Sequence, residues 1–185
     1  MGNLVLWSNH FTDPGARIRV VPRISFDEIN CSVARSLDAL GDGWTLMIIR
    51  DAFFGLRRFA DFERSLGISK NVLAARLRHL VEHEILERID EGVHGERYEY
   101  RLTEKGESLL PVLTALREWG DAWVFGEGNE PLVIRERATG EPPAPVAVRG
   151  VDGRVLSRRE LRGEAGPGAD ERTRRAFPPR DEARR

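Results

Sequence analysis

Between residues 69 and 84, apolar side chains recur at the spacing of an α-helix. They share one face, which consists of Leu73, Leu77, Leu80 and Val81. The opposite face carries Asn71, Ala75, Arg78 and Glu82, with Lys70, Ala74, Arg76 and His79 on the flanks. Ser69 is a favourable N-cap. The pattern predicts a helix over residues 69–84 that buries one face and leaves a small, polar and basic surface on the other.

Three further helices are predicted before this one. The first covers residues 31–40, and its inner face consists of Cys31, Ala34, Leu37 and Leu40. The second covers residues 44–54 and is apolar nearly all round, which is typical of a central buried helix. The third is short, covers residues 61–66 and ends before Gly67.

A hairpin and a long helix are predicted after it. Residues 86–90 and 97–103 alternate as strands do, and the loop between them contains glycine. Thr103 caps a helix that runs from Glu104 to about Phe125. This helix has more apolar surface than one small domain can cover, which indicates a dimer interface. The predicted interface residues are Leu109, Leu113, Leu116, Trp119 and Trp123.

The remaining segments differ from residues 25–126, which we take as one domain. Residues 1–24 keep no period and are predicted to form an irregular arm. Residues 127–162 contain short alternating runs and turns, which favour a small β-rich extension. Residues 163–185 are rich in Gly, Pro, Arg and Glu and are predicted to be disordered.

The order of elements is helix, helix, short helix, helix, hairpin, long helix. It predicts a mainly α fold with a small β-hairpin wing, the winged helix-turn-helix, followed by a small β appendage at the C-terminal side. In such a fold the helix at residues 69–84 is the one that enters the major groove of DNA.

The amino-acid composition excludes several classes of protein and of binding site. The 185 residues are 41% apolar, which is enough for a core, and their net charge of −1 excludes wholesale attraction to nucleic acid. The one cysteine, Cys31, excludes an intrachain disulfide and a cysteine-based zinc site. There is neither a spanning apolar stretch nor a signal peptide, so we expect a cytoplasmic protein without a membrane partner.

Several short motifs identify the chain as resembling the HxlR family, a branch of the MarR-like winged-helix transcriptional regulators. They occur in the family's order and spacing across residues 28–125. They are Cys31-x-Val-Ala-Arg-x-Leu-Asp-x-Leu-Gly, Gly43-Trp-Thr-Leu, Ile49-Arg-Asp, Arg58-Phe-x-x-Phe62, Ile68-Ser-x-x-Val-Leu-x-x-Arg-Leu-x-x-Leu80, Tyr98-x-Tyr-x-Leu-Thr-x-x-Gly106, Leu109-x-Pro-Val-Leu113 and Trp119-Gly120.

The resemblance implies homodimers that bind operator DNA and repress or activate nearby genes. This chain departs from the family at Ser32, where proline is common, and it lacks the cysteines that suggest a metal knuckle in the extension of some members.

Positive charge is concentrated where the fold would meet DNA. Between residues 57 and 80 there are six basic and two acidic residues, which gives this segment a net charge of +4. Asn71 suits adenine, Arg78 or Lys70 suits guanine, and two alanines are small enough to approach a thymine methyl group. Arg76 lies nearer the apolar stripe, where phosphate contact or pairing within the domain is expected. The predicted DNA-binding residues are Arg57, Arg58, Ser69, Lys70, Asn71, Ala74, Ala75, Arg76, Arg78 and, at the wing, Arg97.

Two readings of Cys31 remain open. The resemblance implies a possible redox role, which requires an exposed thiolate, and Arg35 lies one turn away. The apolar face favours a small buried hydrophobe instead.

The run from His79 to His83 matches the zinc-protease pattern H-x-x-E-H. Such a short motif arises by chance, and this one lies at the end of the helix-turn-helix where no enclosed cleft is predicted. We expect no catalytic residues, no metal site, no cofactor and no enzyme activity.

The sequence therefore predicts a DNA-binding transcriptional regulator, a repressor acting as a homodimer on operator DNA, with control by a redox signal or an unidentified small-molecule effector left open. The alternative is a protein-interaction module that keeps the winged-helix fold and acts through its C-terminal extension.

Overall fold

The computed structural model describes residues 26–90, 92 and 98–179. The predicted N-terminal arm and the predicted DNA contact of Arg97 lie outside these residues. The helices are α1 Ser32–Leu40, α2 Gly43–Phe53, α3 Phe59–Leu66, α4 Lys70–Glu82, α5 Glu104–Glu107, α6 Leu110–Gly120 and α7 Glu171–Ala176. The strands are β1 Leu86–Asp90 and β2 Tyr98–Leu102. This is the predicted winged helix-turn-helix with its small antiparallel hairpin.

Side-chain caps explain where the central helices begin. The Asp42 carboxylate accepts from the backbone N–H groups of Trp44 and Thr45 at 3.0 and 3.3 Å, so α2 begins directly after it. The Ser69 hydroxyl accepts from Val72 at 3.4 Å at the start of α4, as predicted from the sequence. At the other end, α4 finishes at Glu82 with His83 as its C-cap, and Glu84 turns the chain in the left-handed region with φ 57°.

One hydrophobic core lies between α2, α3, α4 and the start of β1. Its fully buried members are Ile48, Ile49, Phe62, Leu73, Leu77, Leu80, Ile85 and Leu86. The three leucines of α4 belong to this core, which confirms the face predicted from their spacing. The core fixes the orientation of α4 about its own axis, because these leucines cannot leave it without exposing apolar surface.

The hairpin pairs β1 with β2 antiparallel, with Leu86 opposite Leu102. The segment before α3 lies against the outer side of β2: Arg58 forms an isolated antiparallel bridge with Glu99, and the Tyr100 N–H donates to the Arg57 carbonyl at 2.8 Å. The wing is thus tied to the helix-turn-helix through backbone hydrogen bonds.

The long helix predicted from Glu104 to about Phe125 is divided. Thr103 caps the short α5 as expected, accepting from the Gly106 N–H at 3.0 Å, but the chain then turns at Ser108 and Leu109 before α6. Pro111 lies in the first turn of α6, where a missing N–H costs nothing. Residues Asp121–Phe125 continue α6 as a π-helical turn.

The C-terminal third differs from the prediction of a β-rich extension and a disordered tail. Among described residues 127–162 the β structure is limited to one bridge, Arg149 with Val155, and Arg158–Glu160 forms a 3₁₀ turn. Turn-forming Gly and Pro residues interrupt the alternating runs before a ladder can extend.

The part of the tail that is described contains α7 and docks on the segment before α1. The Asn30 side chain donates to the Gly168 carbonyl at 3.2 Å and accepts from the Asp170 N–H and the Thr173 hydroxyl, each at 3.1 Å. These hydrogen bonds join residues about 140 positions apart in the sequence and hold the segment in place. The composition of the segment alone does not reveal such distant contacts.

Candidate nucleic-acid interface

The outer surface of α4 is the centre of the site. While three leucines of this helix are buried, Ser69, Lys70, Asn71 and Arg78 are exposed, and Ala74 and Ala75 are partly exposed. Small side chains between exposed donors leave the helix narrow enough to enter a major groove. The structure therefore brings these six predicted residues onto one accessible surface.

Arg76 is not part of that free surface. Its Nη2 lies 2.7 Å from the Asp42 carboxylate, which also caps α2. Of the two roles expected for Arg76, pairing within the domain is the one the structure shows. The pair joins the middle of α4 to the start of α2, and about a third of the Arg76 side chain stays accessible (34%).

Arg57 and Arg58 lie beside the wing, more than half exposed, on either side of a carboxylate that the sequence did not single out. Glu99 is only 9% exposed, and Arg101 shares its carboxylate. The signal for this cluster is the β-strand alternation itself, which places Glu99 and Arg101 on one face of β2.

A second wing arginine was also missed. The guanidinium of Arg88, on β1, lies 4.2 Å from the ring centroid of Tyr98 on the neighbouring strand, a cation–π contact. Arg88 is exposed, so the wing presents positive charge on β1 as well as on β2.

The two histidines of α4 are engaged with backbone carbonyls. His79 Nε2 lies 3.0 Å from the Ala39 oxygen, and His83 Nδ1 lies 2.9 Å from the His79 oxygen. The first of these contacts joins α4 to the end of α1. Among the described residues, His, Cys, Asp and Glu side chains form no group of three that could hold a metal.

Cys31 is exposed, and it is the residue directly before α1 rather than a member of its buried face. The prediction of an inner face that includes Cys31 and Leu37 is therefore wrong: Ala34 is buried, whereas Leu37 is 46% exposed. Arg35 pairs with Asp27 at 3.0 Å. The face of α1 that carries Leu37 has no cover within the described chain.

The predicted dimer residues divide into two groups. Leu109 and Leu113 are partly buried and pack against the core of their own chain, so their place in a dimer interface stays a prediction. Leu116, Trp119 and Trp123 are 52%, 58% and 77% exposed, and Val112 joins them at 51%. Spacings of four, three and four residues place these four side chains on one stripe of α6 and its π-helical turn.

Displaced pKa values occur outside the interface, in the C-terminal segment. The pKa of Asp170 is lowered, chiefly because its carboxylate accepts the Thr173 backbone N–H at the start of α7. The Arg154 guanidinium lowers the pKa of Glu160, and backbone N–H groups lower that of Glu130. These groups are solvent-exposed and hold local turns.

None of the helices in the described part of the chain combines the length and apolar character that crossing a membrane requires.

A sequence model of the HxlR-like helix-turn-helix family matches residues 39–127. An HTH-type transcriptional regulator of Mycobacterium tuberculosis is 39% identical over 137 residues, which cover 74% of this chain and 87% of that protein. Another, from Synechocystis, is 33% identical over 114 residues, covering 61% of this chain and 82% of that protein.

Two solved structures extend the likeness beyond the winged helix. PA1607, described as a transcription factor, matches with a TM-score of 0.71 and 43% identity over 77% of this chain and all of that one. PA1374 of Pseudomonas aeruginosa, described likewise, matches with a TM-score of 0.58 and 38% identity over 80% of this chain and all of that one.

Proposed function

Because the chain belongs to the HxlR-like helix-turn-helix family of transcriptional regulators, we propose that it is a repressor that binds operator DNA as a homodimer. The proposal rests chiefly on the two faces of α4: its leucines are fully buried, while Lys70, Asn71 and Arg78 are exposed. A helix held in this way presents the same donors to every DNA molecule that it meets.

Base reading falls to the exposed residues of α4. The Asn71 amide pairs with the N6 and N7 edge of adenine, and the guanidinium of Arg78 pairs with O6 and N7 of guanine. Ala74 and Ala75 contact thymine methyl groups. Ser69 and the first N–H groups of α4 receive a phosphate.

Contacts to the DNA backbone lie on either side of the base contacts made by α4. Arg57 and Arg58 bind phosphates beside the wing, and Arg97 reaches the adjacent minor groove or its phosphates. The whole chain is slightly acidic, so these local charges orient the protein on DNA as well as attract it. Binding therefore weakens steeply with salt.

Two copies bind together through α6. The exposed stripe of Val112, Leu116, Trp119 and Trp123 packs against the same stripe of the second copy about a two-fold axis. The operator then contains inverted half-sites about one or two helical turns apart. The protein acts by occupying DNA rather than as an enzyme.

A signal that changes this binding is part of the proposal. The exposure of Cys31 supports control by an oxidant or an electrophile, because a buried thiol would not meet either. A small-molecule effector is the other form that this control can take.

Selection of bound sequences from random duplex DNA, followed by titration of the recovered site, tests the proposal. Asn71→Ala and Arg78→Ala each remove one base contact, so each weakens the selected site by about 5- to 100-fold. Both leave random-sequence binding much less changed, because phosphates carry it.

Arg159→Ala serves as the matched control, since it removes an exposed arginine far along the chain, on the 3₁₀ turn. It leaves both affinities unchanged. The proposal is wrong if selection recovers no preferred sequence at moderate salt, or if the two α4 variants bind the selected site as the natural protein does.

A further inference from the structure

A cavity of about 400 Å³ lies between α2, α6 and the segment that follows the π-helical turn. Three walls line it: Met47 and Phe54 come from α2 and its C-cap, Leu110 and Thr114 from α6, and Leu132 from the following segment. The volume lies within the range of about 300–1,000 Å³ that is usual for small-molecule sites.

Large apolar side chains around this cavity are only half covered by the chain. Five of them, Phe54, Leu110, Leu116, Phe125 and Leu132, are between 45% and 54% exposed. Single exposed apolar residues need no explanation, whereas five around one cavity form a continuous apolar lining. An apolar molecule in the cavity would remove this surface from water, which is favourable.

The cavity and the dimer stripe occupy different faces of α6. Leu110, Thr114 and Arg117 follow one another at spacings of four and three residues, so they share the face that lines the cavity. Leu116 lies on the boundary between this face and the stripe. A dimer formed through the stripe therefore leaves the cavity available to a small molecule.

Arg50 supplies a hydrogen-bond donor at the cavity. Its Nε and Nη2 donate to Asp51 Oδ1 at 2.9 and 2.6 Å, and its Nη1 donates to the Met47 sulfur at 3.6 Å. A thioether is a weak acceptor, so Nη1 gains from an oxygen acceptor on a ligand. Because Arg50 and Met47 both line the cavity, such an oxygen can take the place of the sulfur.

The charges around the cavity favour an uncharged ligand. In the part of the chain that the structure describes, the charged residues that line it are Arg50, Arg117 and Asp121. Arg117 pairs with Asp121 at 2.5 Å and with Glu118 at 3.7 Å, and Arg50 pairs with Asp51 at 2.6 Å. Two arginines and three carboxylates have a formal charge of −1, which gives an anion no net attraction. A cation would compete with the arginines for carboxylates that are already paired.

We propose that this cavity binds an uncharged, largely apolar molecule with a carbonyl oxygen that accepts a hydrogen bond from Arg50 Nη1, and that such a molecule is an effector that weakens operator binding. The site goes beyond the proposed function, while the effect on DNA rests on it and names the class of effector. A ligand between α2 and α6 shifts the core that holds α4 relative to the helix that joins two copies, and so changes the separation of the two α4 helices.

Matched probes test the chemistry of the site. Benzylacetone, hydrocinnamate and phenylpropylamine each join a phenyl ring through a short chain to a ketone, a carboxylate or an ammonium group, and ethylbenzene has no polar group. The chain has two methionines, Met1 and Met47, so isotope-labelled methionine methyl groups give one NMR signal from the cavity wall. We expect benzylacetone to shift the Met47 signal saturably. Its affinity should exceed that of either ion at least about tenfold, because the cavity does not compensate an ion for its lost hydration.

Two variants separate the donor from the cavity. Arg50→Lys keeps the charge and removes Nη1, so it should bind benzylacetone about 3- to 10-fold more weakly and ethylbenzene equally well. Thr114→Phe fills the cavity and should weaken both probes at least about tenfold. It loses little else, because the Thr114 hydroxyl donates to the Leu110 carbonyl of its own helix at 2.8 Å. Ala138→Phe, on an exposed turn, adds the same ring outside the cavity and should change neither affinity.

The outcomes that overturn the site are distinct. They are no saturable shift of the Met47 signal at millimolar benzylacetone, equal or tighter binding of either ion, or unchanged affinity in folded Thr114→Phe. If that variant does not fold, unchanged benzylacetone affinity in Arg50→Lys overturns it instead. A fall in the mass of the dimer when benzylacetone is added would show that a second copy fills the cavity, which also overturns it.

The effect on DNA is measured separately, on the selected operator. Saturating benzylacetone should weaken operator binding at least about fivefold in the natural protein and should leave Thr114→Phe unchanged. Unchanged operator affinity in the natural protein overturns the effector role and leaves the site. If benzylacetone binds as expected but the protein selects no preferred DNA sequence, the proposed function fails and the site stands.

Discussion

At the scale of single residues, Gly106 shows how closely the chain is packed behind the wing. A Cβ placed on this residue would lie 2.2 Å from the Ile85 carbonyl oxygen and 2.9 Å from the Leu102 side chain. The backbone oxygen cannot move away easily, because it also accepts from the Thr103 N–H at 3.2 Å. Only glycine lets α5 begin at this distance from the sheet.

We predict that Gly106→Ala lowers the free energy of unfolding by about 1–3 kcal/mol, because the added methyl group forces α5 away from β1. Gly120→Ala is the control, since a Cβ at this helical position meets open space. It is expected to raise stability by about 0.5–1 kcal/mol. Urea denaturation of both variants measures the two effects, and equal shifts of one sign would contradict the packing argument.

Single residues also show how much of the candidate site can be predicted from the sequence. Ser69, Asn71 and Arg78 were placed correctly on the outer surface because helical periodicity fixes their direction once the leucines are buried. Leu109 packs against the core because the chain turns before α6, and helical periodicity alone does not reveal that turn. Glu99 escaped notice because Arg57 and Arg58 come from a different segment, and strand alternation reports only its third partner, Arg101.

At the scale of elements, Asp42 links α4 to α2. One carboxylate caps α2 and pairs with Arg76 of α4 at 2.7 Å. His79 adds a second link, to the Ala39 carbonyl at the end of α1. The orientation of α4 therefore depends on the α1–α2 junction as well as on its own leucines.

The two roles of Asp42 can be separated by substitution. Asp42→Asn keeps a good cap and loses the charge pair, so it should cost less than about 0.5 kcal/mol, because the pair is partly exposed. Asp42→Ala loses both and should cost about 1–2 kcal/mol. Thermal unfolding measured on both variants gives the difference. An Asn variant as unstable as the Ala variant would show that the pair, and not the cap, holds the junction.

Helices and strands of the winged helix were predicted to within a few residues, because each has its own period and its own end signal. The C-terminal third was not. Its order comes from distant polar contacts, such as those of Asn30 with the start of α7, and from turns. Composition and periodicity describe only what a segment can do alone, so they predicted strands and disorder where the structure has turns and a short helix.

At the scale of the whole molecule, the described part of the chain leaves a large apolar surface exposed. Val112, Leu116, Trp119 and Trp123 form an exposed stripe on α6 and its π-helical turn, and Val33 and Leu37 of α1 are exposed as well. Isolated apolar residues on a surface need no explanation, but a continuous stripe with two tryptophans does. Tryptophan is one of the residue types enriched among the side chains that contribute most to binding at the centre of an interface.

Leu116→Asp tests whether this stripe joins two copies. A charge buried in an apolar interface costs several kcal/mol, so at one concentration we expect the natural protein to be a dimer and the variant to be a folded monomer. Light scattering after size exclusion measures this mass. Val151→Asp, at an apolar residue that is fully exposed and lies outside the stripe, should leave the dimer unchanged.

Because one half-site alone supplies half of the contacts, the monomer should bind the selected operator at least about 100-fold more weakly, while its random-duplex binding per subunit stays similar. A Leu116→Asp protein that remains dimeric would place the two-fold axis elsewhere, with the exposed face of α1 as the next surface to examine.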